Sequence, residues 1–537
     1  MSHLKRVVLT LLAVLASALP LVASAAETVS GSVVSVDAQG GRIVIKDKSK
    51  MTNRSFQVPK NTQISLDGKT ALLNRVEAGQ SVTVFFTGNV ASRLIVRAEK
   101  KDEGSAVPAK PMPMPTPKSE PKVASIPKTP VRPATTTKSA PAATANTGTS
   151  WSQFRGPLRD NISRETGLLK QWPEDGPQSG WSVSGIGEGY SSVSISDGKV
   201  FTMGNIGDDE MVIALDLASG DKLWSTRSGR AYREGQGNGP RGTPTVDADR
   251  VYALGANGDL VCLDTATGNR RWHLNILSEF AANNIVWGIS ESVLIDGERL
   301  ICTPGGRDAT MVALNKMTGK LMWRSQVPSS PQAAYSSAIA IEVGGVRQYV
   351  NFTHGGVVGV RASDGAPMWG QRESSNGTAN CSSAIFENNS IFTASGYGTG
   401  GALFRLTSRG GQTVSEMAYS TREMKNHHGG MVALDGYLYG CDEAVLTCLE
   451  LRTGKVAWQN RSVGKGSLTM ADGRLYVRSE QGPIALVEVN SQQYIEHGRF
   501  QQPQRSGRPS WSHPVVAEGK LFLRDMDRLL TYQVQEK

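Results

Sequence analysis

One motif recurs through the second part of the chain: a short apolar strand, a polar residue, a glycine turn and, a few positions on, a tryptophan. The copies are ALDLASGDKLW ending at Trp224, CLDTATGNRRW at Trp272, ALNKMTGKLMW at Trp323, GVRASDGAPMW at Trp369 and CLELRTGKVAW at Trp458, with looser copies ending near Tyr419 and Phe500. A period of about 40–50 residues is the size of a propeller blade. The alternating apolar run reads as a strand. The Ser-Gly, Thr-Gly or Asp-Gly pair puts glycine where the turn needs a positive φ. The tryptophan then falls on the outer strand, where a wide ring can wedge between neighbouring sheets.

A second register marks the inner strand of each blade. It starts at Ser192, Thr243, Ser292, Ser337, Ser383, Gly430, Ser467 and His513. Eight inner strands imply eight blades over residues 150–537. The last blade runs out of chain after its third strand, so its fourth comes from elsewhere. The segment QSGWSVS precedes the first blade and carries Trp181, which fits the vacant docking slot. Pairing of the two ends closes the ring and removes open sheet edges. The expected fold class is therefore all-β: an eight-bladed β-propeller preceded by a small β-barrel-like domain and a Pro-rich linker.

Residues 1–25 read as a signal peptide, with Lys5 and Arg6 before an apolar stretch and a small-x-small site at Ala23-Ser24-Ala25. Pro20 and the short apolar run argue against a membrane anchor, and no later run is long enough to span a bilayer. Periplasmic or extracellular residence follows. Residues 27–100 alternate in short segments and form a small β domain. Residues 101–149, rich in Pro, Ala, Thr and Lys, cannot bury a core and read as a disordered tether. The charge of +10 is local: residues 1–149 hold 20 basic and 9 acidic side chains, so the rest of the chain nets −1. That excludes a nucleic-acid-binding main domain. The five cysteines form no CxxC pattern. Cys441 and Cys448 either pair across a hairpin or, with the others, stay buried thiols.

The A-x-D-x-x-T-G-x-x-x-W pattern, near-complete at Trp224 and Trp272, resembles the PQQ-type propeller repeat. The opening WSQFRGPLRDNISRETGLLKQWP from Trp151 resembles a secreted subgroup labelled PQQ-like or polyvinyl-alcohol-dehydrogenase-like. That superfamily holds quinoprotein alcohol dehydrogenases and also non-enzymatic scaffolds of the machine that assembles outer-membrane β-barrels. For an enzyme the resemblance implies PQQ, Ca²⁺, an Asp base and, commonly, adjacent cysteines. Glu291 and Asn380 would then serve the metal, Arg241 and Lys465 the quinone carboxylates, and Trp287 or Trp511 would stack. No Cys-Cys pair occurs and no Asp is placed as base. A binding or scaffold propeller is the preferred reading, because chemistry is argued from a site and not from a fold.

Aligning the inner strands puts Tyr190, Arg241, Ser290, Tyr335, Cys381, His428, Lys465 and Trp511 in one ring at the mouth of the central channel. Trp287 and Asn380 lie within three residues of it, and Glu291 follows it directly. Aromatic faces, two cations, a carboxylate and histidines suit a small anionic or quinonoid ligand; the alternative partner is a cell-envelope protein, bound by a monomer. The ring below, mostly serine, reads as small residues packed where strands converge. His427 and His428 are adjacent, and in an extended segment neighbours point to opposite sides. His513 could be a third partner. No metal site is assigned from this pattern. The GYGTGG run at residues 396–401 lies between two strands and reads as a hairpin turn, not a nucleotide loop.

Overall fold

The computed structural model describes residues 27–47, 52–59, 62–66, 69–87, 89–97, 150–328 and 332–536. The signal-peptide and linker expectations lie outside them. The chain divides into two compact units, 1–134 and 135–537.

In the first unit the strands are β1 (Glu27–Asp37), β2 (Arg42–Asp47), β3 (Asn53–Gln57), β4 (Gln63–Leu66), β5 (Lys69–Thr70), β6 (Ser81–Thr87) and β7 (Val90–Arg97). They run in the order β3-β2-β1-β6-β7-β4-β5, and β3 also meets β7 at Gln57 and Val90, which closes a small barrel. Alternation does the work. Ile43 and Ile45 point inward to meet Phe56, Val84, Phe86, Leu94 and Val96 in one apolar core.

The second unit is an eight-bladed propeller. Each blade is a four-stranded antiparallel sheet; the seventh gains a short fifth strand, Ile162–Ser163, beside Gly466–Ala471. Closure is as the sequence requires. Ser179–Ser184 pairs antiparallel with Arg528–Gln533 and supplies the outer strand of the eighth blade.

The repeat motif explains the blade contacts. Asp216 and Asp264 accept two backbone N–H groups each at their turns, at 2.8–3.0 Å, which shapes the loop before the glycine. That glycine has two duties. Gly220, Gly268, Gly319 and Gly365 hold φ of 71–82°, and a Cβ on any of them would sit 2.4–3.0 Å from the indole of Trp181, Trp224, Trp272 or Trp323 on the preceding blade. Each of these indoles donates Nε1 to a carbonyl of the next blade, at Leu217, Thr265, Lys316 and Ala362, over 3.0–3.1 Å. Tyr419 does the same with its hydroxyl to Leu451. Trp369 departs: its Nε1 donates to Gln348 Oε1 in its own blade at 2.8 Å. The blade after it carries the long hairpin Gly400–Arg409 and Gln412–Thr421, turned tightly at Gly410-Gly411, in place of the loop that runs from Asp216 to Gly220 or from Asp264 to Gly268 in other copies.

The serine ring is more than small. Ser192 N donates to Thr243 Oγ1, Thr243 N to Ser292 Oγ, Ser292 N to Ser337 Oγ and Ser337 N to Ser383 Oγ, at 2.8–3.3 Å. Ser192 Oγ donates to His513 O. Hydroxyls thus form a belt that satisfies buried N–H groups from blade to blade, where a merely small residue would leave them orphaned.

The belt lapses at Gly430 and Ser467, and there the axis is filled by the segment 151–163. Its Trp151 bridges Ile195, and Ser152 O accepts Val246 N. Arg155 donates to Met431 O and Ser383 O, Arg159 to Ser292 O, Ala338 O and Val293 O, and Asn161 to Leu468 O. Three non-glycine residues in this plug, Arg155, Arg159 and Asn161, have φ of 55–68°. Such backbone persists only where the surroundings dictate it. A Cβ at Gly430 would meet Asn161 Nδ2 at 2.3 Å, so glycine here makes room for the plug.

Candidate functional site

Above the plug lies a cavity of about 220 Å³. Seven of the eight mouth-ring positions line it: Tyr190, Arg241, Ser290, Tyr335, Cys381, His428 and Trp511, together with Trp287, His427 and His513. Its lining also takes Phe154 and Arg155 from the plug and Tyr397 from the GYGTGG turn. That turn joins Ser390–Ser395 to Gly400–Arg409, as a hairpin turn should.

The wall is a run of rings. Tyr190 packs on Trp511 at 4.5 Å, Trp511 on His428 at 5.4 Å, His428 on His427 at 4.8 Å and His427 edge-on to Tyr397 at 4.5 Å. Elsewhere in the lining Trp287 and Tyr335 stand 5.5 Å apart, and Phe154 lies 5.1 Å from His513.

The two histidines correct a sequence expectation. They do not diverge, because the segment between Thr421 and Met431 is not a strand and bends at His428 and Gly429. Both rings therefore turn to the cavity. Gly396 lets His427 approach, since a Cβ there would lie 2.8 Å from its Cδ2.

Charge is largely spent inside the protein. Arg241 donates to Glu234 Oε1 at 3.2 Å and to Gly237 O at 2.8 Å, and it lies over the rings of Tyr232 and Tyr190. Lys465 is not in the cavity wall; its Nζ is 3.4 Å from Glu480 Oε1. Trp511 Nε1 donates to that same oxygen at 3.2 Å, and His428 Nε2 sits against it. Burial opposes ionisation of Glu480, but His428 and Lys465 hold it down at about 2. Burial lowers His427 to about 3, helped by His428 and Lys465, and lowers His513 to about 3. Burial also lowers His428, against the pull of Glu480.

Two residues expected in the mouth serve elsewhere. Glu291 lies wholly buried below the cavity, where its carboxylate accepts Thr303 N at 2.6 Å and Thr303 Oγ1 at 3.1 Å. Burial raises it to about 7 against Thr303 and Arg159. Burial in turn lowers Arg159 to about 9, with the charge of Glu291 opposing the shift. Asn380 donates to Thr353 O and His354 O and fixes a loop. It faces a neighbouring cleft shared with Tyr335. Glu480, Phe154, Arg155 and Tyr397 were not anticipated. The opening WSQFRGPLRDN is a usable signal, since it places two arginines, a Gly-Pro and two aromatics ahead of the first blade with no strand pattern. All five cysteines are free thiols. Cys448 faces Tyr439 across the hairpin and not Cys441.

Ca²⁺ with PQQ fits these residues poorly. Ca²⁺ takes six to eight oxygen ligands, whereas the cavity lining offers imidazoles and no carboxylate, and Glu480 beside it is already engaged. A tricarboxylate needs cations, and Arg241 and Arg155 are committed to Glu234 and to channel carbonyls.

Comparison with known proteins agrees with this geometry at the level of the fold. Among solved structures the quinohemoprotein alcohol dehydrogenase of Comamonas testosteroni aligns with a TM-score of 0.52 at 13% identity, over 74% of this chain and 82% of that one. BamB from Moraxella catarrhalis aligns with a TM-score of 0.48 at 13% identity, over 67% of this chain and 98% of that one. In sequence, the outer membrane protein assembly factor BamB of Escherichia coli is 25% identical over 369 residues, 65% of this chain and 87% of that protein. The Xanthomonas campestris protein of the same name is 33% identical over 115 residues, 21% of this chain and 27% of that protein. The PQQ-repeat family model described as outer membrane protein assembly factor BamB matches residues 208–460 and 399–526, more than half of the chain, and the chain belongs to that family.

Proposed function

We propose that this protein is a non-catalytic recognition propeller of the cell envelope, and that its mouth seats one compact, flat, aromatic or quinonoid group. The observation that carries the reading is the unbroken run of rings Tyr190–Trp511–His428–His427–Tyr397 that lines one cavity with Trp287, Tyr335 and the plug residue Phe154. Ring faces at these spacings favour a planar partner, and about 220 Å³ is small beside the roughly 300–1,000 Å³ of drug-sized pockets. The occupant is a small molecule or an aromatic side chain from an envelope protein. The name of the relatives, an outer membrane protein assembly factor, supports a scaffold placed beyond the inner membrane. No helix among the described residues is long and apolar enough to cross a membrane.

The test is a titration of the full-length chain with naphthoquinone and with tyrosine- or tryptophan-bearing peptides in EDTA, read by calorimetry. Saturable binding that falls at least about tenfold in Trp511→Ala and Tyr190→Ala supports the reading. Equal binding by wild type and both variants removes it. Addition of PQQ and Ca²⁺ with alcohols and an artificial electron acceptor is expected to give no turnover, and turnover that depends on the mouth residues would establish an enzyme instead.

A further inference from the structure

His427, His428 and Glu480 bring a ligand atom each to within 4.8 Å of one another. They come from separate parts of the fold: the bend before Met431–Leu434, and the end of Arg474–Ser479. The two nitrogens of His427 are buried and meet no hydrogen-bond partner among the described residues. An orphaned buried imidazole is costly and calls for an explanation. Tyr397 packs only against its ring edge-on, and Gly396 leaves it the space to stand there.

We propose that His427, His428 and Glu480 form a site for a borderline divalent transition-metal ion of the Zn²⁺, Co²⁺ or Cu²⁺ type. Two nitrogens and one carboxylate oxygen suit such ions and not Ca²⁺ or Mg²⁺. Three ligands about a tetrahedral ion stand about 3.3 Å apart. His428 Nε2 and Glu480 Oε1 already touch and would part onto the ion, while the His427 ring, which has no hydrogen bond to give up, turns to complete the set. Trp511 Nε1, on Glu480 Oε1, orients the carboxylate from behind. Lys465 is the competitor: its ammonium shares Glu480 and, at 31% exposure, can swing out to water. The imidazoles line the cavity, so a coordination position left free by the protein opens towards the occupant. The site does not require the aromatic occupant proposed above.

The experiment uses the full-length chain stripped with chelator and titrated with Co²⁺ alone, read by visible d–d absorption, with Zn²⁺ as displacing ion. One equivalent of Co²⁺ is expected, with the intense spectrum of a four- or five-coordinate ion. His427→Gln and Glu480→Gln, which keep the bulk of each side chain, should each weaken binding about 100-fold while near-UV circular dichroism stays native. Lys465→Met should tighten it about tenfold, because a like charge is removed. His273→Ala, a surface histidine paired with Asp259, should change nothing. The proposal is overturned if natively folded wild type takes up no Co²⁺, if both glutamine variants bind as wild type does, or if Lys465→Met binds no tighter. Since the organic-ligand titration is run in EDTA, the two readings fail separately.

Discussion

At the rim of the propeller Trp323 lies on Gly365 of the next blade and donates to Ala362 O. At the axis Arg159 reaches Ser292, Val293 and Ala338 from a segment that precedes the blades and joins the seventh only at its end, through Ile162–Ser163. The rim contact is apolar area with one hydrogen bond, and it is repeated around the ring. The axial contact is charge and backbone polarity, and it occurs once. A repeated apolar seam tolerates the loss of one copy at the cost of that copy. A single polar plug leaves several buried carbonyls and N–H groups unsatisfied together when it goes. The comparison teaches that this ring is stabilised at its edge by addition and at its centre by a network.

The largest effect should come from separating the plug from the closing strand. A chain beginning at residue 164 loses the plug but keeps Ser179–Ser184; one beginning at residue 190 loses both. We expect the second to lack a cooperative melting transition, because the eighth blade is left with an open edge. The first should fold and melt at lower temperature. Equal melting of the two, followed by calorimetry, would mean that the plug and not the outer strand closes the ring.

Next in size, Trp323→Ala should cost about 3–5 kcal/mol in denaturant unfolding. Arg159→Met tests the axis at comparable magnitude, about 3–5 kcal/mol, because it leaves the buried carbonyls of Ser292, Val293 and Ala338 without their donor. If the cost at Arg159 is near zero the axis is not a network.

Glu291, buried near the axis, also gives a pH signature that the rim cannot. Burial raises Glu291 in the folded protein to about 7, above its ordinary 4.5. Between those values the folded state holds a proton that the unfolded chain has released, so this group's contribution falls as pH rises from about 4.5 to about 7. Glu291→Gln should flatten that part of the stability–pH curve. Trp323→Ala should shift the curve without changing its slope.

The same contrast decides what could be read from the sequence. Blade number, the docking tryptophans and the closing strand at Trp181 were legible because each is written in a repeat, and a repeat can be checked against its copies. Seven mouth positions fell on one cavity for the same reason. Glu291 and Asn380 were misplaced because being next to the ring in sequence does not make a residue face the ring; each turns away to satisfy buried partners. The histidines were misread because the bend at Gly429 is a one-time departure from strand geometry. Glu480 and the plug residues have no copies in the chain, and their roles depend on contacts more than a hundred residues away for Arg155 and Arg159. For the serine ring, size was readable. Its hydrogen bonding was not, since a serine and an alanine give the same steric pattern.

The smallest expected effect separates those two readings of the serine ring. Ser337 Oγ accepts Ser292 N at 2.9 Å, whereas Ser467 Oγ is buried with no hydrogen-bond partner among the described residues. The two sit at equivalent places in their blades and are both buried. If size alone mattered, alanine would be harmless at either. If the belt is a hydrogen-bond device, Ser337→Ala orphans a buried N–H and should cost about 1–3 kcal/mol. Ser467→Ala removes an unsatisfied hydroxyl and should be neutral or slightly stabilising. The measurement is a pair of urea titrations with the m-value held constant, so that the midpoints report stability alone. Matching midpoints for the two variants would return the ring to a steric role, and would leave the plug as the sole polar tie at the axis.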